Sequence, residues 1–145
     1  MFYGEYLHSI DRKGRLILPA KFREAAKTHF IEKFFVTRGL DSCLFMFSEE
    51  EWRTQESKFK AIPFTKQQAR TFNRLYFSGA VEVVLDSQGR ILLPQYLKDF
   101  AQIKRDVVIV GVSSRIEIWA RDKWQEFYGN SRQSFEEIAE KLMDM

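Results

Sequence analysis

The sequence contains few of the residues from which catalytic and metal sites are usually built. Its 145 residues include one cysteine, Cys43, and two histidines, His8 and His29. A single cysteine excludes an intramolecular disulfide and a zinc site with paired thiolates. Cys43 begins a predicted strand, where we expect a small buried hydrophobic residue, and both histidines fall in apolar patterns. We therefore expect no enzyme activity and no cofactor; a metal- or thiol-dependent enzyme is the least favoured interpretation.

Long apolar segments and nucleotide-binding loops are also missing. The longest uninterrupted apolar stretches, such as residues 107–112, are about six residues long, whereas a membrane-spanning helix needs about 20. Neither a Gly-x-Gly-x-x-Gly motif nor a Walker-type loop occurs, so no phosphate cradle is predicted. The first residues show no basic region followed by an apolar core and a cleavage site. We therefore predict no export signal and expect a cytoplasmic protein.

An internal repeat organises the chain. The segment IDRKGRLILP at residues 10–19 reappears as LDSQGRILLP at residues 85–94, an offset of 75. Further along, the offset becomes 72 and four positions match: Gly39 with Gly111, Leu44 with Ile116, Phe47 with Trp119, and Trp52 with Trp124. Two copies are too few for a solenoid, so we predict a pseudo-symmetric pair packed as one core. We place repeat 1 at residues 5–50 and repeat 2 at residues 79–122, with linker helices at 49–77 and a C-terminal helix at 131–145.

Each copy shows the same order of predicted elements: strand, turn, strand, helix, strand, strand. Pro19 and Pro94 suit the first residue of a helix, because proline has no amide hydrogen to leave unpaired there. Apolar residues at helical spacing predict the buried faces of the two helices: Phe22, Ala25, Ala26, His29 and Phe30 in the first, and Leu97, Phe100 and Ala101 in the second. The predicted fold is therefore α+β, mostly β, with flanking helices.

The segments outside the repeats are also predicted to be helical. Two capping boxes mark the starts of the linker helices: Ser48 with Glu51, and Thr65 with Gln68. Phe72 and Tyr76 on the second linker helix, and Phe135 on the C-terminal helix, need a surface to pack against. That surface is either the core of the same chain or another subunit.

The most specific feature is an Asp-x-x-Gly-Arg turn, which occurs twice with the same spacing at residues 11–15 and 86–90. The aspartate of such a turn accepts hydrogen bonds from backbone amides ahead of it, and the glycine tolerates a positive φ. We assign turn-structuring roles to four residues: Asp11, Gly14, Asp86 and Gly89.

The charges of the first turn indicate an anionic partner. The chain has a net charge of +3, and residues 1–30 alone hold six Lys or Arg against three Asp or Glu. Arg12, Lys13 and Arg15 place three cations within four residues. Such a cluster costs stability unless an anion neutralises it, and phosphate does so with a geometry that suits arginine.

The second turn is less basic than the first. Ser87 and Gln88 replace the two middle cations, so Arg90 stands alone there and the two turns are expected to bind unequally. The residues expected to bind the phosphate-bearing partner are Arg12, Lys13, Arg15 and Arg90. Lys21 and Arg23, on the first repeat helix, are read as an ordinary solvated face beside this surface.

The combination of these features resembles a known family. The two repeats, the N-terminal sequence MFYGEY and the Asp-x-x-x-Arg signatures at Asp11/Arg15 and Asp86/Arg90 closely resemble MraZ, a family of bacterial transcriptional regulators built of two SpoVT/AbrB-type swapped-hairpin domains. The resemblance spans nearly the whole chain. It implies a nucleoid-associated protein that binds double-stranded DNA at short repeated promoter boxes and represses its own operon, which serves cell division and cell-wall synthesis. It also implies assembly into a ring-shaped homo-oligomer.

Energetics also favours assembly. A subunit that neutralises about three phosphates has a salt slope of roughly −2.7, which is typical of weak, non-specific binding. Several copies matched to regularly spaced boxes would gain about 10² or more in affinity without new contacts.

The alternative function is that of a protein-interaction module, like the antitoxin members of the swapped-hairpin superfamily, whose basic turns contact an acidic partner protein.

Overall fold

The computed structural model describes residues 1–144. Within them the strands are β1 (Phe2–Ser9), β2 (Arg15–Ile17), β3 (Lys33–Arg38), β4 (Leu44–Ser48), β5 (Val81–Val84), β6 (Arg90–Leu92), β7 (Asp106–Ser113) and β8 (Arg115–Ala120). The helices are α1 (Ala20–Thr28), α2 (Glu49–Lys60), α3 (Gln67–Ser78), α4 (Gln95–Phe100), α5 (Arg121–Ser131) and α6 (Phe135–Met143), with a 3₁₀ turn at Arg132–Ser134 before α6. Met145, the last residue of the predicted C-terminal helix, lies outside the described residues. None of the described helices is long and apolar enough to cross a bilayer.

The sheet topology interleaves the two repeats. Six antiparallel strands form one sheet in the order β1-β7-β8-β4-β3-β5, and β2 pairs with β6 in a separate two-stranded ribbon. Exchanging the strands of repeat 1 with those of repeat 2 reverses this order and leaves it otherwise unchanged. The first strand of each repeat pairs with the third strand of the other, so neither repeat completes a sheet alone. The predicted α+β fold of two pseudo-symmetric repeats is confirmed.

The pseudo-twofold axis passes between β4 and β8. Leu44 lies opposite Ile118 and Met46 lies opposite Ile116, so the register is symmetric about the pair formed by Phe45 and Glu117. Side chains on successive residues of a strand point to opposite faces. Both faces of this sheet carry buried apolar side chains, which form two separate clusters.

The two faces are covered by different elements. On one face the ribbon, α1 and α4 enclose a core whose fully buried members include Leu16, Phe22, Ile91 and Leu97. On the other face α2, α3 and α5 cover a mainly aromatic cluster of buried and partly buried residues: Phe35, Phe47, Trp52, Phe72, Tyr76, Phe77, Trp119 and Trp124. The ribbon therefore lies on the side of the molecule opposite to α2 and α3.

The predicted buried stripe of the first repeat helix is wrong at its end. Helix α1 ends at Thr28, and Phe30 takes a left-handed φ of 55°, which turns the chain away from the helix axis. His29 and Phe30 are consequently exposed, Phe30 to 90%. In the second repeat helix Leu97 and Ala101 are buried, but Phe100 is exposed.

The two predicted capping boxes, at the starts of the two linker helices, have different outcomes. The hydroxyl of Ser48 accepts a hydrogen bond from the Glu51 amide at 3.2 Å, which confirms the hydroxyl half of the first capping box, while the Glu51 carboxylate accepts from Gln55 Nε2 at 3.4 Å. The second is wrong, because α3 starts one residue later than the box requires and has Lys66 as its N-cap, with no side-chain cap. Tyr76 is buried and Phe72 half-buried in the chain's own core, so of the two interpretations the intramolecular one holds for this helix.

Candidate nucleic-acid interface

The first Asp-x-x-Gly-Arg turn is a tightly hydrogen-bonded loop at the start of β2. Asp11 Oδ1 accepts hydrogen bonds from the amides of Lys13 and Arg15, both at 2.9 Å, and its Oδ2 accepts one from Arg15 Nε at 2.7 Å. The Gly14 amide donates to the Asp11 carbonyl at 3.0 Å, and Gly14 adopts a φ of 83°. The backbone bond from Arg15, followed by its side chain and the Lys13 amide, lowers the pKa of Asp11. The carboxylate is therefore ionised and holds the turn closed.

The second turn reproduces this geometry almost atom for atom. Asp86 accepts hydrogen bonds from the amides of Gln88 and Arg90 at 2.9 Å and from Arg90 Nε at 2.8 Å. Gly89 adopts a φ of 76°, and the pKa of Asp86 is lowered chiefly by the Arg90 amide. Since the turns differ mainly in the exposed middle residues, the same scaffold displays different charges at the two positions.

The ribbon joins the two turns into one surface. Arg15 lies opposite Leu92 and Ile17 lies opposite Arg90, while the central pair, Leu16 and Ile91, is buried in the core. Side chains alternate across a strand. The outer face of the ribbon therefore consists of Arg15, Ile17, Arg90 and Leu92.

Each turn is also held by the other repeat. The Leu93 amide donates to the Gly14 carbonyl at 2.9 Å, and the Leu18 amide donates to the Gly89 carbonyl at 3.0 Å. Because β2 and β6 are antiparallel, the two turns lie at opposite ends of the ribbon. At about 3.4 Å per residue, Arg15 and Arg90 are separated by roughly 7 Å along it.

A further cation is supplied to each turn from the helix of the other repeat. Lys98 Nζ lies 3.1 Å from the position that a Cβ on residue 14 would occupy, and Arg23 Nη1 lies 3.0 Å from the equivalent position on residue 89. Arg23 is not the solvated residue that its sequence context predicts. Its Nε is buried and has no hydrogen-bond partner within residues 1–144.

The two ends of the ribbon therefore carry unequal positive charge. At the first turn Arg12 and Lys13 are exposed, and neither has a salt-bridge partner in the described part of the chain. Lys98 adds a fourth cation there, beside Arg15, which is paired with Asp11. At the second turn Arg23 adds its charge to that of Arg90, beside the neutral Ser87 and Gln88.

Sequence reasoning missed Ile17, Leu92 and Lys98 and interpreted Arg23 wrongly as solvated, although a signal for all four residues was present. Ile17 and Leu92 are related by the offset of 75, as are Arg23 and Lys98. The same offset relates Arg15 to Arg90. Applying the offset of 75 to every residue near the turns pairs these positions. The offset does not show that the helix of each repeat contacts the turn of the other repeat.

The residues considered for catalysis lie apart from one another. Cys43 is fully buried and its thiol donates to the Leu40 carbonyl at 3.1 Å; burial raises the pKa of this thiol. His8 lies on β1, where burial and then the charge of Arg23 lower its pKa, and His29 is exposed beyond α1. Within residues 1–144 no three metal-ligating side chains come together.

Comparison with known proteins gives full-length matches. A family model described as "MraZ protein, putative antitoxin-like" matches the chain twice, at residues 1–75 and 76–145. A protein of Thermoanaerobacter sp. named "Transcriptional regulator MraZ" is 52% identical over 145 residues, covering 100% of this chain and 99% of its own length. Proteins of the same name from Acetivibrio thermocellus and Carboxydothermus hydrogenoformans are each 51% identical, over 98% and 99% of this chain and 96% and 98% of their own lengths.

Proposed function

Because the chain belongs to the MraZ family, we propose that it is a DNA-binding transcription regulator that contacts the duplex with the ribbon and its two turns. The observation that carries this proposal is the composition of the ribbon surface. Two arginines project from its outer face, and Arg12 and Lys13 extend the positive charge at one end.

The dimensions of the ribbon suit the major groove. Paired strands lie about 4.8 Å apart, and the major groove, roughly 12 Å wide, admits a two-stranded ribbon. In that position Arg15 and Arg90 are placed to donate to guanine edges or phosphates through their free Nη groups. Ile17 and Leu92 supply apolar surface of the kind that contacts thymine methyl groups.

The aspartates orient the arginines for this task. Each carboxylate binds Nε of the arginine four residues later. The ion pair limits the conformations of a long side chain, so less entropy is lost when the arginine meets DNA. Arg15 and Arg90 therefore have a positioning partner, whereas Arg12 and Lys13 are exposed point charges suited to phosphate.

The finer parts of the proposal concern assembly and biological role. We propose that the chain forms a ring-shaped homo-oligomer whose copies engage short repeated promoter boxes, since one ribbon gives only a few phosphate contacts and repeated contacts become intramolecular. In this role it acts in the cytoplasm, associated with the nucleoid, and represses the operon for division and cell-wall synthesis to which its own gene belongs.

A gel-shift series tests the DNA interface. The Arg12→Ala/Lys13→Ala/Arg15→Ala variant is expected to lose binding to a duplex that carries repeated boxes. The matched control, Lys58→Ala/Lys60→Ala/Lys66→Ala, removes the same charge from the opposite side of the molecule and is expected to retain binding. Light scattering and thermal melts establish that both variants remain assembled and folded.

Two outcomes would contradict the proposal. One is an unchanged gel shift for the correctly assembled turn variant. The other is an absence of duplex binding by the unmodified protein together with co-purification of an acidic protein that the turn variant releases. That second outcome would support the antitoxin-like alternative.

A further inference from the structure

The C-terminal helix presents an apolar stripe that the rest of the chain does not cover. Its large apolar residues are all exposed, at fractions from 49% to 84%: Phe135, Ile138, Leu142 and Met143. Within residues 1–144 its main contact is with the 3₁₀ turn that precedes it. An amphipathic helix left in this position needs a partner surface.

An open groove of about 510 Å³ lies on the aromatic face of the sheet, between β1, β7 and α5. Its apolar lining includes Leu7, Val108, Trp124 and Tyr128, and its charged lining consists of Arg121, Arg132 and Glu5. Leu7 is 58% exposed, although Val108, the residue opposite it on β7, is buried. The groove is therefore an uncovered part of the aromatic face.

Repeat 1 shows what covers the equivalent surface there. Trp52, which the offset of 72 relates to Trp124, stacks on Tyr76 of α3 with ring centroids 5.6 Å apart. The apolar residues that α3 uses, at positions 72, 76 and 77, have the same spacing as Ile138, Leu142 and Met143 of α6. Helix α6 thus has the side-chain pattern of the helix that fills this place in repeat 1.

The connection before α6 keeps it from filling the groove of its own chain. Six residues that include Pro63 separate α2 from α3 and let α3 turn back over the sheet. Only the three residues of the 3₁₀ turn, without glycine or proline, separate α5 from α6. Helical backbone therefore continues from α5 to α6, and the chain is not reversed as it is in repeat 1.

The charges of the two surfaces are complementary. Helix α6 carries Glu136, Glu137 and Glu140 against one lysine, whereas the groove is lined by two arginines and one carboxylate, Glu5. Opposite charges at the edge of an apolar contact favour its formation and fix its orientation.

We propose that α6 of one copy docks into the β1/β7/α5 groove of a second copy, in the manner of α3 in repeat 1. This inference rests on the self-assembly in the proposed function and assigns the contact that produces it. The contact joins two different surfaces, so it is head-to-tail and builds a ring where the rotation between copies closes.

Disulfide trapping tests the contact directly. A Leu7→Cys/Leu142→Cys variant of the full chain is expected to form, on mild oxidation, a ladder of covalent oligomers on non-reducing gels, while each single variant forms none. The native Cys43 is buried and does not interfere. A fast-migrating intrachain product would show that α6 folds onto its own groove and would overturn the proposal.

A charge substitution provides the second test. Leu142→Glu is expected to reduce the mass in light scattering to that of one 17.3 kDa chain. Lys141→Gln, which makes the same change of net charge one residue away, is expected to leave the assembly intact. Circular dichroism checks that both variants fold.

The results distinguish this inference from the proposed function. If Leu142→Glu stays fully assembled and the cysteine pair does not react, another surface forms the oligomer and the docking proposal is wrong, while DNA binding and assembly stand. If the unmodified protein is a single chain that still shifts DNA, the docking proposal and the ring both fail and the ribbon interface survives.

Discussion

The substitution Lys13→Ala tests how the first turn meets DNA, because it removes an exposed cation without disturbing the hydrogen bonds of the turn. The Lys13 backbone amide, not its side chain, donates to Asp11, and this bond remains in the variant. Each phosphate contact contributes about 0.9 to the slope of log K against log salt. We therefore expect the slope to become shallower by about 0.9 for every subunit that engages the duplex.

The magnitude is measurable for a single engaged subunit. Between 50 and 200 mM salt, the affinity of the unmodified protein for DNA falls more than that of Lys13→Ala. The two losses differ by a factor of about 3.5 for one engaged subunit and about 12 for two. Fluorescence anisotropy with a labelled duplex over this range yields the slope. The control Lys58→Ala lowers the net charge equally on the opposite side of the molecule and is expected to leave the slope near that of the unmodified protein.

The result that would refute the reasoning is a slope that stays the same in Lys13→Ala, or one that changes equally in both variants. An unchanged slope would mean that this lysine does not contact phosphate. Equal changes would mean that overall charge, and not the placement of the turn, governs binding.

Three further predictions follow from the local geometry. Gly14→Ala forces a left-handed φ on a residue with a side chain and is expected to destabilise the fold by about 1–2 kcal/mol. Asparagine tolerates that conformation better, so Gly14→Asn should show a smaller loss of stability in a thermal melt. The pKa values of Asp11 and Asp86 are lowered, so the stability that their carboxylates give the fold is complete above the ordinary value of 3.8 and is lost as pH falls through the folded-state pKa. The difference in stability between the native protein and an Asp11→Asn/Asp86→Asn variant should therefore vanish in strong acid. The raised pKa of buried Cys43 predicts that a thiol reagent at pH 8 reacts only after denaturation, and rapid reaction with the folded protein would contradict its burial.

The repeat in the sequence accounts for much of the fold. The offset between residues 10–19 and 85–94 requires two similar halves, and the structure arranges them about a pseudo-twofold axis. The pairing partner of each strand is not encoded in the local pattern, because an alternating strand pairs equally well within or between repeats. The interleaving of the two halves therefore became visible only in the register of β1 with β7 and β3 with β5.

The errors have a physical cause as well. Periodicity continues the first repeat helix through Phe30, but a left-handed residue ends it, and Gln102 has the same φ of 55° at the position 72 residues later. A polar residue at that matched position argues against a buried Phe30. Arg23 was misjudged because its partner, Gly89, belongs to the other repeat.

The central claim is that the outer face of the ribbon is the surface that contacts DNA, and site-specific photocrosslinking tests it most directly. A photoreactive phenylalanine analogue at Leu92, which is 59% exposed on that face, is expected to form a covalent adduct with the duplex. The same analogue at Phe64, which is 77% exposed in the loop between α2 and α3, is expected to form none. Adducts from position 64 with none from position 92, in protein that binds the duplex normally, would contradict the account.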